Sequence, residues 1–80
     1  MITVQAKLFA TLRHYRPDAK IGEPFSVELP DNATVGELIG HLGLPETEVK
    51  VVFVNFLARD QTHVLAEGDE VGIFPPVGGG

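Results

Sequence analysis

Eighty residues suffice for one domain around a single core and are too few for a self-contained enzyme with its own substrate domain. At 44% hydrophobic and 21% charged, the chain reads as soluble and globular, with no apolar run near the roughly 20 residues that a membrane span needs. Eleven carboxylates against six scattered Lys and Arg residues give a net charge of −5, which repels nucleic acid, and the lack of cysteine removes disulfides, thiolate metal sites, iron–sulfur ligation and thiol nucleophiles together.

The opening Met1-Ile2-Thr3-Val4 has no basic segment leading into an apolar leader, so a cytoplasmic location is expected. Ile2, Val4, Ala6 and Leu8 alternate with Thr3, Gln5 and Lys7, which predicts a strand with one buried face. Thr11 to Arg16 reads as a short helical turn stopped by Pro17-Asp18, and Lys20 to Glu23 as loop. Phe25, Val27 and Leu29 resume the alternation between Pro24 and Pro30, giving a second strand. Asp31-Asn32 form a turn. Thr34 and Glu37 then make a capping box, in which hydroxyl and carboxylate satisfy backbone N–H groups at a helix start. Val35, Leu38, Ile39 and Leu42 follow at helical spacing, and Gly43 ends the helix as a left-handed cap with Pro45 beyond.

After polar Glu46-Thr47-Glu48, the apolar run Val49, Val51, Val52, Phe53 and Val54 predicts a central strand. Arg59 to His63 is polar, Leu65 is expected to plug the core, and Glu67-Gly68-Asp69 turns into a last strand carrying Val71 and Ile73. This order suits an α+β fold, a ubiquitin-like β-grasp: a mixed sheet of four to five strands packed on one main helix. The expected division is a β-grasp domain over residues 1–74 and an extended Pro-Pro-Val-Gly-Gly-Gly tail over 75–80.

If the even positions of the first strand face the helix, Phe9 and Phe74 fall on the opposite face, joined by Val51 and Phe53 or else by Val52 and Val54. An apolar patch there would surround the base of the tail and mark a protein-binding surface, unless the loop between the first two strands folds over it. Pro75 and Pro76 stiffen the tail, and Gly78, Gly79 and Gly80 lack the Cβ that would bar passage through a narrow channel. Extended, the six residues beyond Phe74 reach about 20 Å, deep enough to enter a partner's active site. The plain alternative is an idle glycine-rich terminus.

Other candidate chemistry is weak. His14, His41 and His63 share no metal-ligand spacing and receive no role. Glu67, Asp69 and Glu70 flank a glycine turn and are read as keeping that loop in water, and Gly36 and Gly40 as tolerated losses of helix propensity. No metal or cofactor is expected. No glycine loop cradles phosphate at a strand-to-helix turn, so any ATP must be bound by a partner.

The stretches Lys7-Leu8-Phe9-Ala10-Thr11-Leu12-Arg13, Val52-Phe53-Val54-Asn55, and Leu65 through Phe74-Pro75-Pro76-Val77-Gly78-Gly79-Gly80 resemble the small subunit of molybdopterin synthase over essentially the whole chain. The glycine-aspartate turn followed by the Phe-Pro-Pro-Val stalk and terminal glycines is the most specific part. The related sulfur carrier of thiamine synthesis shares the fold and diglycine end but generally lacks the double proline. The resemblance implies a noncatalytic carrier. In that family an ATP-dependent adenylating enzyme, similar to ubiquitin-activating enzymes, adenylates the terminal glycine, here Gly80. Persulfide sulfur from a donating enzyme then displaces AMP to leave a thiocarboxylate. The stalk, matching Phe74, Pro75, Pro76, Val77 and the glycines, inserts into the large synthase subunit, and a heterotetramer with that subunit transfers sulfur onto a cyclic pterin to build the dithiolene that holds molybdenum or tungsten. Gly78 and Gly79 would allow threading, and Phe74, Pro75, Pro76 and Val77, with Phe9 and Phe53, would serve docking.

Two further readings stay open. One is a β-grasp sulfur carrier or ubiquitin-like protein modifier for another pathway, such as thiamine, another sulfur-containing metabolite or tRNA thiolation. The other is a noncovalent interaction module. One departure is local: many members of the family carry glycine after the asparagine matching Asn55, whereas Phe56-Leu57-Ala58 stands here and disfavours a tight two-residue hairpin.

Overall fold

The computed structural model describes residues 1–17 and 23–76. The first alternating segment forms β1, Ile2–Leu8, with Val4, Ala6 and Leu8 buried and Thr3, Gln5 and Lys7 on the other face. A 3₁₀ turn over Ala10–Tyr15 delivers Leu12 into the core with no measurable exposure. The loop expected around Lys20, and its start at Asp18, lie outside the described residues. β2, Phe25–Leu29, pairs antiparallel with β1 from Ile2↔Leu29 to Ala6↔Phe25, a register that puts Val27 and Leu29 on the buried side.

The single α-helix, α1, spans Val35–His41 and buries Val35, Leu38 and Ile39. Its start is capped as the Thr34 and Glu37 spacing implies: Thr34 Oγ1 accepts from the Glu37 backbone N–H at 3.2 Å. The Glu37 carboxylate differs from expectation, because it accepts from the Thr34 hydroxyl at 3.4 Å rather than from a backbone N–H. At the other end Gly43 sits at φ 73°, the left-handed conformation that favours glycine. Gly43 N–H donates to Gly40 O and Leu44 N–H to Ile39 O, both at 3.1 Å, which closes the helix in a Schellman motif and turns Leu44 into the core.

Three strands complete the sheet: β3 Val51–Val54, β4 Leu57–Arg59 and β5 Glu70–Phe74. Their order is β2-β1-β5-β3-β4, with β1 and β5 parallel and the other neighbours antiparallel. This is the mixed sheet on one main helix of the ubiquitin-like β-grasp. β3 lies between β5 and β4 and so is a central strand, as its apolar run predicts. Val52 and Val54 face the core and Val49 packs against it, whereas Val51 and Phe53 stand on the other face. Leu65 is 3% exposed and is held by its N–H donating to Ala33 O at 2.8 Å, so it plugs the core as expected.

The β3–β4 connection departs from the sequence reading. It is a tight two-residue hairpin, with Val54 paired to Leu57 and both Asn55 (φ 51°) and Phe56 (φ 71°) left-handed, the pair of positive angles that suits the twist of a hairpin. Tertiary hydrogen bonds hold it there. Asn55 N–H donates to Glu70 O at 2.8 Å, Asn55 Nδ2 donates to Asp69 Oδ1 at 2.9 Å, and Glu70 N–H donates to Asn55 Oδ1 at 3.0 Å. These bonds outweigh the preference of Phe56 for a negative φ. The acidic turn after Leu65 is equally tied down. Glu67 accepts from Thr3 N–H at 3.0 Å and Asp69 Oδ2 from Ala66 N–H at 2.8 Å, so two of its three carboxylates brace the turn rather than only solvating it.

Candidate functional site

The face of the sheet away from α1 is set by strand periodicity. On β1 the outward series ends at Phe9, whose N–H still donates to Ile73 O at 3.1 Å. On β5 it comprises Glu70, Gly72 and Phe74, and on β3 Val51 and Phe53. The register aligns these residues across strands: Gly72 lies between Lys7 and Phe53, and Val51 opposes Phe74.

The three phenylalanines expected to dock a partner come together around Phe74. Phe9 and Phe74 stack with centroids 4.1 Å apart and planes inclined by 6°, while Phe53 meets Phe74 edge-on at 5.5 Å and 84°. Such contacts add about 0.5–1.5 kcal/mol per pair beyond the area they bury. Each ring is half-buried by the others, so the patch is a structured wall rather than three separate exposed side chains. The wall borders a recess of about 340 Å³ lined chiefly by apolar side chains, to which Pro24 and Phe56 also contribute, with Lys7 and Glu70 supplying the charges. The Lys7 ammonium lies 5.7 Å from the Phe9 ring centroid, within reach of the ring's negative face.

Gly72 is the residue that periodicity alone passes over. A Cβ built on it would stand 3.2 Å from Phe9 Cε2 and 3.5 Å from Phe74 Cε1. Bare backbone at this position lets the stacked pair lie down on the sheet. Part of the signal was present in the sequence, since Gly72 occupies the outward position two residues before Phe74.

The tail leaves from the same wall. Phe74 O accepts from Lys50 N–H at 2.8 Å. Pro75 and Pro76 follow, and neither has an N–H with which to continue the ladder, so pairing ends at Phe74. Val77, Gly78, Gly79 and Gly80, which carry the proposed threading and reacting positions, lie outside the described residues. Among the described residues no group of three or more His, Cys, Asp or Glu side chains could hold a metal, and no helix is long and apolar enough to cross a membrane.

A family model described as the ThiS family matches residues 6–80, nearly the whole chain. The chain belongs to the ThiS family. It is therefore a small sulfur-carrier protein of ubiquitin-like β-grasp fold. No match is found among curated proteins. Among solved structures it is similar to a Pyrococcus furiosus protein assigned as subunit 1 of a molybdopterin converting factor, with 26% identity, TM-score 0.75 and coverage of 96% of this chain and 100% of that one. Small archaeal modifier protein 1 of Haloferax volcanii is as similar, at 25% identity, TM-score 0.76 and the same coverages. Subunit 1 in the complex of subunits 1 and 2 of the Helicobacter pylori molybdopterin-converting factor shares the fold at 21% identity, TM-score 0.63, covering 99% and 100%.

Within this ThiS-family chain, the aromatic wall, its glycine floor and the exit of the tail form one continuous surface.

Proposed function

We propose that the chain carries sulfur on the carboxylate of Gly80 and donates it, as the small subunit of molybdopterin synthase, for dithiolene formation. A free carboxylate is a poor electrophile. An ATP-dependent adenylating enzyme joins it to AMP with release of pyrophosphate; a persulfide sulfur of a donor protein then attacks the carbonyl carbon and AMP leaves, and a second thiol of the donor attacks the donor-side sulfur of the resulting acyl disulfide, forming a disulfide on the donor and freeing the thiocarboxylate. The chain has no cysteine, so the terminal carbonyl is the group on which it can hold sulfur covalently. Gly78 and Gly79 thread the tail into the large synthase subunit, Pro75, Pro76 and Val77 stiffen it, and Phe9, Phe53 and Phe74 seat the two proteins together.

The observation that carries this reading is the Phe74-Pro75-Pro76 exit from a stacked aromatic wall, in a family of sulfur carriers. The likeness to the Pyrococcus furiosus subunit 1 favours the molybdopterin branch. The equal likeness to small archaeal modifier protein 1 supports a second reading, in which the activated Gly80 passes to a lysine amine or another acceptor.

Intact-mass measurement after incubation with the adenylating enzyme, ATP and a sulfur donor tests the shared step, because replacement of one terminal oxygen by sulfur is the expected product. Adding the large synthase subunit and the cyclic pterin separates the branches. Dithiolene formation supports the first reading, whereas a chain joined through Gly80 to protein lysines supports the second.

A further inference from the structure

Phe56 stands at φ 71° with 83% of its surface exposed. Both features count against an aromatic residue: its Cβ disfavours the left-handed region, and its ring lies in water. Glycine would relieve both at this turn. None of the described residues buries the ring, which stays in water at the edge of the recess that it lines together with Phe9, Phe53 and Phe74. Leu57 beside it is 58% exposed but pairs with core-facing Val54 and so lies on the helix side of the sheet, which leaves Phe56 as the exposed apolar side chain that the hairpin adds at the recess. The three hydrogen bonds of Asn55 hold the turn and fix where that ring points.

The tail limits what can cover this surface. Five residues stand between Phe74 and Gly80, a reach of about 20 Å if extended, so an enzyme that reacts at Gly80 must rest its body close to the recess that Phe74 lines. Every reading that makes Gly80 reactive begins with the same enzyme, the one that adenylates it. We infer that Phe56 is a docking anchor for this ATP-dependent adenylating enzyme, held in a strained conformation so that its ring enters an apolar pocket on that partner. The inference rests on the reading of Gly80 as the activated group.

The test uses the full-length chain and its adenylating enzyme, followed by ATP–pyrophosphate exchange as the carrier concentration is varied, with thermal unfolding of each variant measured alongside. Phe56→Gly should raise KM for the carrier about tenfold, the scale of losing an aromatic hot spot, with kcat unchanged. Its thermal midpoint should rise by about 4 °C as the backbone relaxes. Phe56→Asn, which tolerates the left-handed region, should follow it, and Phe56→Tyr should keep the wild-type KM. An unchanged KM in Phe56→Gly overturns the inference, as does a raised KM accompanied by a lower thermal midpoint, or a fall in kcat alone. If the wild-type chain supports no exchange, the reading of Gly80 fails and takes this inference with it; exchange by the wild type with an unchanged variant KM removes the inference alone.

Discussion

Gly72 and Phe74 divide the work of the outer face between an absent side chain and a large one. The absent Cβ leaves room for Phe9 to lie flat against Phe74, so a branched side chain has to lift the upper ring. In Gly72→Val the ring-current shifts that the stacked rings impose on each other should shrink, as read from their NMR signals; unchanged shifts would show that the pair does not rest on bare backbone. Phe74→Ala removes both ring contacts at once and should cost about 2 kcal/mol in denaturant unfolding. It should slow sulfur transfer by more than that loss of stability accounts for. Phe56 shows the limit of reading single residues. Its departure from glycine was visible, yet its propensity argued for a looser loop, and only the bonds from Asn55 to Asp69 and Glu70, fourteen and fifteen positions away, force the tight one.

At the scale of elements, one short piece without regular periodicity depends on a polar tie. The 3₁₀ turn that carries Leu12 is fastened by Tyr15, whose phenol donates to Glu48 Oε2 at 2.7 Å. That bond, with some desolvation and the nearby carboxylate charge, raises the phenol pKa above its ordinary value of 10. A group whose pKa is raised in the folded state contributes its stability in full below the unfolded value and loses it as pH climbs through the folded one. The tie should therefore hold up to about pH 10 and fade above it. Tyr15→Phe should lower the unfolding midpoint at neutral pH and unfold with a flatter alkaline dependence, checked by denaturant titration across that range. For α1, Thr34→Ala removes the hydroxyl that caps Glu37 N–H and should cost about 1 kcal/mol by the same measurement. The helix was legible because its cap, apolar spacing and Gly43 agree with one another. β4 was not, since Leu57, Ala58 and Arg59 are all exposed on an edge strand and alternation carries no signal where neither face is buried. The β3 run read as covered on both faces because Phe53 on its outer side packs into the aromatic wall against Phe74 rather than into a second internal layer.

Across the whole molecule, the residues that hold the fold and the residue proposed to carry sulfur occupy separate parts of the chain. Leu38 is fully buried at the centre of the core, so Leu38→Ala should cost about 2–5 kcal/mol in thermal or denaturant unfolding, with sulfur loading per folded molecule preserved. Deleting Gly79-Gly80 should do the reverse, leaving the thermal midpoint unchanged while abolishing sulfur loading, because the backbone ladder ends at Phe74. The architecture was readable from one strand pair, one capped helix and a late apolar strand, since faces that differ in burial print a period on the sequence. The assembly of the outer face was not, because it depends on register: nothing local says that Lys7, Gly72 and Phe53 stand in one row.

The parallel pairing of the first strand with the last has a consequence for biosynthesis. Until Glu70–Phe74 has been synthesised, β1 and β3 have no strand to join them, and the core stays open on one side. A translation product cut short before that point therefore cannot fold into the scaffold on which the end of the chain is offered. Each chain must complete its last strand before its core can close, so release from the ribosome and closure of the sheet fall together.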